Sequence, residues 1–148
     1  DFSNGGSSAQ YIISKGWGGN SIDMYVSWDK IYTSGDDYPH SESSSLSNLE
    51  DKWIHLAVTK GNGIARFYVN GEPHGSYEIP QCEASSSNLK IGARGAYPGP
   101  ASFYFKGKID DVRVFNKILT DDELKEIYIG KNQAGETPQS PKNLRIAN

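Results

Sequence analysis

Aromatic and cationic side chains stand in two glycine-rich stretches of the sequence, where they could contact a ligand. Trp17 lies among Gly16, Gly18 and Gly19, and Arg94 and Tyr97 lie in the Gly/Pro-rich stretch 94–102. An aromatic ring offers an apolar face to a sugar ring, and a guanidinium donates paired hydrogen bonds to hydroxyl or carboxylate oxygens. Trp17, Arg94 and Tyr97 are therefore the candidate ligand-binding residues. Structural roles stay open, because Trp17 could fold over the core edge and stretch 94–102 could simply connect two strands.

A second group of polar side chains falls in the serine-rich stretch 33–47. It contains Asp36, Asp37, His40 and Glu42 close together. These residue types could hold a metal ion or another ligand. Calcium loops usually alternate their oxygen ligands more tightly around a glycine, so a solvated surface loop is the favoured interpretation.

Composition limits the class of protein and its partners. The 148 residues suffice for one domain with a sizeable core. A formal charge of −3 provides no basic patch, so nucleic acid is not an expected partner. Cys82 is the single cysteine, which excludes an internal disulfide, and no Cys/His spacing indicates zinc. No apolar run reaches membrane-spanning length. Because the chain begins without methionine, we expect it to be part of a longer protein.

Short alternating apolar runs separated by turn residues predict a β-rich fold. The central feature is the stretch 53–71, where two runs rich in β-branched and aromatic residues flank Lys60-Gly61-Asn62-Gly63. Gly and Asn tolerate positive φ, so a tight reversal is expected there. Apolar residues fall on both faces of these runs, with Leu56 and Val58 on one face and Ala57 and Tyr68 on the other, so we expect a hairpin covered on both sides. Asn70-Gly71 predicts a second reversal after it. Other predicted strands cover 10–15, 21–28, 31–33, 72–78, 88–92 and much of 103–116. In the strand 21–28, Trp28 is expected on the same face as Val26.

One short helix is predicted after the last strand. Thr120 is a plausible N-cap, and Glu123 stands three residues later, as in a capping box. Leu119 can pack against Leu124 across this start. Gly130 is expected to end the helix near residue 129.

The order of these motifs resembles that of the laminin G-like domains of the concanavalin A-like lectin/glucanase superfamily, with a pentraxin-like closing pattern. The resemblance covers about residues 10–131. It is carried by Trp53-x-His55-x-Ala57, Phe67-Tyr68-Val69-Asn70-Gly71, Ile91-Gly92, Phe105-x-Gly107-x-Ile109-Asp110-Asp111-Val112-Arg113-Val114-Phe115-Asn116 and Leu119-Thr120-x-x-Glu123-Leu124. The aromatic-Asp-Gly motif and the strands with which such domains usually begin have no match before Tyr11.

The resemblance implies an all-β jelly-roll sandwich of two antiparallel sheets with one short C-terminal helix. We expect this domain to cover residues 1–132. Residues 133–148 are expected to be a linker and, from their weaker similarity to fibronectin type III modules, the start of a following domain.

The resemblance also implies a structural calcium ion at the sandwich edge. In the family, ligands come from an early loop and from the closing strand. Asp110 is the best match to a closing-strand ligand, and Asp111 is second. The alternative is that both carboxylates accept backbone hydrogen bonds and pair with Arg113.

Three functional classes follow from this family. The expected function is a non-catalytic module of a larger secreted or cell-surface protein that binds carbohydrate or a glycoprotein. Alternatives are a spacer that contacts only neighbouring domains, or an accessory domain of a polysaccharide-degrading enzyme. Catalysis itself is not expected, because retaining glycosidases need two carboxylates about 5 Å apart. The glucanases of this fold carry them as Glu-x-Asp-x-Glu, and no such run occurs here.

Overall fold

A computed structural model describes residues 9–16, 22–33, 46, 49, 52–79, 87–94, 102–132 and 145–146. Within these ranges the chain forms nine strands and one helix. In chain order they are β1 (Gln10–Lys15), β2 (Ile22–Ser27), β3 (Lys30–Tyr32), β4 (Leu56–Gly61), β5 (Ile64–Val69), β6 (Glu72–Glu78), β7 (Lys90–Ile91), β8 (Arg113–Val114), α1 (Asp121–Asn132) and β9 (Arg145–Ile146).

The strands form two antiparallel sheets, as expected from the sequence. The first sheet has the order β3-β2-β1-β7, and the second has the order β4-β5-β6. In the predicted central hairpin Leu56 pairs with Val69 and Gly61 with Ile64, so that Asn62-Gly63 makes a two-residue turn. β8 and β9 form a separate parallel pair.

The main core lies between the two sheets. Because side chains alternate across a strand, one face of each strand supplies the apolar contacts. The buried members of this core are Val26, Ile31, Leu46, Ala65, Phe67, Val69 and Ile79. Leu56 and Val58 pack against them, as the alternating pattern predicts. The prediction for Trp28 is wrong: it leaves the strand at the β2–β3 turn and is 65% exposed, because its φ of 44° breaks the extended backbone.

The helix covers the opposite face of the second sheet. Leu119 and Leu124 are buried against Tyr68, with Ala57 and Ile127 beside them. The Tyr68 hydroxyl donates a hydrogen bond of 2.8 Å to Asp121 Oδ1 in the first helical turn. The hairpin is therefore packed on both faces, as predicted.

Both halves of the predicted capping box form at the start of α1. The Glu123 backbone N–H donates to Thr120 Oγ1 at 3.2 Å, and the Thr120 backbone N–H donates to Glu123 Oε2 at 2.9 Å. The expected end of the helix is wrong, since α1 continues through Gly130 to Asn132. Gly130 is not among the glycines with positive φ, so it does not provide the left-handed residue of a C-terminal cap.

The predicted strand region 103–116 is mostly irregular. Only Arg113–Val114 forms a strand there, while Tyr104 makes a single parallel bridge to Tyr11. Phe103 and Asp111 have φ values of 52° and 48°. A left-handed residue turns the chain away from the extended direction, so the apolar alternation of this stretch does not become a continuous strand.

Candidate functional site

Three tyrosines stack across the strands of the first sheet. Tyr25 lies between Tyr11 and Tyr32, with ring centroids 4.6 Å and 5.2 Å away and interplanar angles of 17° and 15°. Tyr25 pairs directly with each of them in the strand register, and directly opposed residues bring their side chains close together. This arrangement, called the tyrosine ladder below, lies on the face of β2 opposite the core residue Val26, because neighbouring positions in a strand point to opposite faces.

Arg94 extends the tyrosine ladder at its β1 end. Its guanidinium carbon lies 5.5 Å from the ring centroid of Tyr11 and 5.7 Å from that of Phe103. Both distances allow cation–π attraction. The Arg94 backbone is held by an antiparallel bridge to Ser102, with N–H···O distances of 2.8 and 3.2 Å. The fold therefore places this half-buried cation against two aromatic rings.

Phe103 presents its ring at the surface from a left-handed backbone. Its φ is 52°, and its side chain is 41% exposed. A bulky residue with positive φ is uncommon and costs conformational energy. The Phe103 carbonyl accepts a hydrogen bond of 3.1 Å from the Tyr11 backbone N–H, which anchors this conformation to β1. Tyr104, the next residue, is also exposed.

Burial raises the pKa of two phenols of the ladder, those of Tyr11 and Tyr25. It raises the pKa of Tyr25, and the neighbouring Tyr11 and Tyr32 raise that pKa further, to well above the ordinary range of a phenol. Burial also raises the pKa of Tyr11, while the Arg94 charge acts in the opposite direction. Asp23, a buried residue on the ladder face of β2, also raises the pKa of Tyr11 and Tyr25, so the site combines phenol rings with a cation and a buried carboxyl group.

The sequence-predicted ligand residues are only partly within the described structure. Arg94 is described and lies beside the tyrosine ladder, whereas Trp17 and Tyr97 fall outside the described residues, as does the acidic stretch with Asp36 and His40. The role of Phe103 and of the three tyrosines was not predicted. The pairing of Tyr25 with Tyr32 could have been predicted from the sequence. A two-residue turn at Trp28-Asp29 makes Ser27 pair with Lys30, and the same register places Tyr25 opposite Tyr32.

Asp110 and Asp111 make local contacts at the predicted calcium position. The Asp111 backbone N–H donates to Asp110 Oδ1 at 2.8 Å. Arg113 contacts both carboxylate oxygens of Asp111, with Nε 3.1 Å from Oδ1 and Nη2 2.9 Å from Oδ2. Asp110 thus accepts a backbone hydrogen bond and Asp111 pairs with Arg113, as in the structural alternative to calcium binding.

A calcium ion takes six to eight oxygen ligands. Among the described residues, no three His, Cys, Asp or Glu side chains converge as a metal site. The arrangement around Asp110 and Asp111 therefore does not by itself fit a calcium cage, and calcium binding stays a prediction.

Two facing antiparallel sheets, with a helix packed on one outer face and an aromatic ladder on the other, define a β-sandwich of the laminin G-like type. A laminin G family model, described as "Concanavalin A-like lectin/glucanases superfamily", matches residues 2–125. The chain belongs to this family, which confirms the resemblance inferred from its motifs.

Two individual proteins show similarity to this chain. It is 25% identical over 139 residues to Adhesion G-protein coupled receptor V1 of Danio rerio; the match covers 86% of this chain and 2% of the receptor. The chain thus spans only a small part of that relative. It is also similar in structure to an S-layer domain-containing protein (residues 221–444) from Clostridium thermocellum ATCC 27405. That match has a TM-score of 0.45 and 23% identity, and it covers 83% of this chain and 64% of the other.

No helix within the described ranges is long and apolar enough to cross a membrane.

Proposed function

We propose that this chain is a non-catalytic module of a larger extracellular or cell-surface protein, and that it binds carbohydrate or a glycan-bearing protein. The observation that carries the proposal is the Arg94 guanidinium within cation–π distance of the Tyr11 and Phe103 rings. Membership of a lectin-containing superfamily and similarity to a receptor named for adhesion agree with it.

The chemistry of this site suits a sugar ring. The exposed Phe103 ring offers an apolar face, on which the C–H groups of a pyranose can stack. The adjacent Arg94 donates hydrogen bonds in a fixed planar geometry to hydroxyl or carboxylate oxygens. Contact with the two rings and half-burial restrict the Arg94 side chain before a ligand binds, which lowers the entropy lost on binding.

Three acidic side chains in the described part of the chain have structural partners, which agrees with a binding role. Asp121 accepts the Tyr68 hydroxyl hydrogen bond, Glu123 completes the capping box, and Asp111 pairs with Arg113. Acidic residues in a first helical turn also stabilise the helix dipole.

A glycan array followed by titration calorimetry with the best-binding oligosaccharide tests this proposal. Arg94→Lys keeps the charge but removes the planar fork, and Phe103→Asn removes the ring at a position where asparagine tolerates positive φ. We expect each variant to weaken binding at least tenfold, with melting temperatures close to that of the unchanged protein.

The matched control is Arg66→Lys, since Arg66 is exposed on β5 of the other sheet and should not affect binding. Absence of binding to every glycan, with and without added calcium, would contradict the proposal and favour the spacer alternative. Glycan binding that survives both site variants would place the contact elsewhere on the chain.

A further inference from the structure

Three two-residue hairpin turns in the described part of the chain share one backbone geometry, and one of them differs from the other two in sequence. β4–β5 turns at Asn62-Gly63, with φ of 53° and 74°, and β5–β6 turns at Asn70-Gly71, with φ of 52° and 78°. β2–β3 turns at Trp28-Asp29, with φ of 44° and 60°. Positive φ at both central residues is the type I′ pattern, for which Asn-Gly is the favoured pair. The β2–β3 turn therefore has the less favourable pair Trp28-Asp29, whereas the other two turns have the favoured Asn-Gly.

Trp28 is the unusual member of these turns. Bulky side chains rarely adopt positive φ, and where they do the strain often marks a functional position. Packing does not account for the residue, because the indole is 65% exposed. Strain without compensating burial points to a use of the ring in solvent.

The backbone under this turn is firmly held. The Asp29 carbonyl accepts a hydrogen bond of 2.7 Å from the backbone N–H of Leu46, a fully buried residue of the main core. An aromatic ring on an anchored turn can bind a ligand with little loss of backbone entropy.

We propose that Trp28 is a stacking platform for a pyranose ring and forms a second contact for an oligosaccharide bound at Arg94. This inference rests on the proposed carbohydrate-binding function. Trp28 lies in the β2–β3 turn, one residue beyond the end of β2 and three residues after Tyr25, which places its backbone roughly 10 Å from that of Tyr25. The ligand class is therefore an extended oligosaccharide rather than a single sugar.

The surroundings of Trp28 favour a sugar over an apolar protein surface. Its neighbours in sequence are Ser27, Asp29 and Lys30, all polar. A protein hot spot usually lies inside a patch from which water is excluded, whereas sugar recognition combines one ring face with adjacent hydrogen-bonding groups. An exposed indole between polar residues in the sequence fits the second arrangement.

The test replaces Trp28-Asp29 by the pair that the other turns use. We expect Trp28→Asn/Asp29→Gly to keep or raise the melting temperature, because it relieves strain, and to weaken binding of the array-selected oligosaccharide at least tenfold. Affinity for the corresponding monosaccharide should change less than twofold. Trp53→Asn is the matched control, since Trp53 is 53% exposed in the stretch leading into β4 and should leave oligosaccharide affinity unchanged.

The outcomes separate the two proposals. Binding that needs Arg94 but is unchanged in the turn variant overturns the Trp28 platform and leaves the proposed function intact. No binding to any glycan overturns both. A lower melting temperature in the turn variant would show that the indole stabilises the fold and would overturn the inference. If the turn variant loses the same affinity for a glycoprotein before and after enzymatic deglycosylation, Trp28 contacts protein rather than sugar, and the inference is overturned.

Discussion

Replacing Tyr25 by alanine removes the middle ring of the tyrosine ladder. The ring has two stacked neighbours, at 4.6 and 5.2 Å. Each aromatic pair contributes roughly 0.5–1.5 kcal/mol beyond the burial of apolar area, so two pairs account for about 1–3 kcal/mol. Tyr25 is only half-buried, and its lost burial adds about 1 kcal/mol, less than for a fully buried aromatic. We expect Tyr25→Ala to reduce the free energy of unfolding by about 2–4 kcal/mol.

Urea denaturation at pH 7 and 25 °C measures this loss. Tyr25→Phe is the matched control, since it keeps both stacked contacts and removes only the hydroxyl, and it should cost less than about 1 kcal/mol. A double-mutant cycle with Tyr32→Ala should give a coupling energy of about 0.5–1.5 kcal/mol. A loss below about 1 kcal/mol for Tyr25→Ala, or no coupling in the cycle, would refute the stacking account of this face.

Three further predictions concern pH, backbone geometry and calcium. Burial raises the folded-state pKa of Tyr25 above its unfolded value near 10. The neutral phenol therefore contributes its full stability below pH 10, and this contribution is lost as the pH rises above 10. The melting temperature should consequently fall less steeply at alkaline pH in Tyr25→Phe than in the unchanged protein. Gly71→Ala should destabilise by more than about 1 kcal/mol, because φ is +78° and the added Cβ would lie 3.0 Å from Tyr128. Gly130→Ala should stabilise by about 0.5–1 kcal/mol, because the position is helical and nothing lies within 4 Å of the added Cβ. Urea denaturation measures the free energy of unfolding of both glycine variants, and equal changes in the two would contradict the assigned geometry. If Asp110 belongs to a calcium site, millimolar calcium should raise the melting temperature and Asp110→Asn should abolish the rise, whereas an unchanged melt removes Asp110 from that site.

Much of the fold could be predicted because its signals are local. Residues that alternate along 54–58 and 64–69 identify the two faces of a strand, and Asn-Gly pairs specify tight hairpin turns. The capping box at Thr120 specifies where the helix begins. Each of these features depends on neighbours within a few residues, so a single sequence contains enough information to place it.

The errors have two physical causes. Trp28 and Phe103 adopt left-handed backbone conformations that their side chains disfavour, and apolar alternation at each position predicts a strand. Gly130 is compatible with a helical position as well as with a helix end. At the first two positions, hydrogen bonds from Leu46 to the Asp29 carbonyl and from Tyr11 to the Phe103 carbonyl hold the backbone, whereas nothing lies within 4 Å of the Cβ position of Gly130.

The sequence by itself determined most of the strands, the two Asn-Gly turns, the helix start and the family, because periodicity and turn chemistry act over short distances. Only the tertiary structure decided what meets on the outer face of the first sheet. There Arg94 reaches Tyr11 and Phe103, residues far apart in the chain. Such contacts depend on strand order, on register and on the irregular path of the segment after Ser102. Long-range packing sets all three, and no pattern of neighbouring residues specifies them.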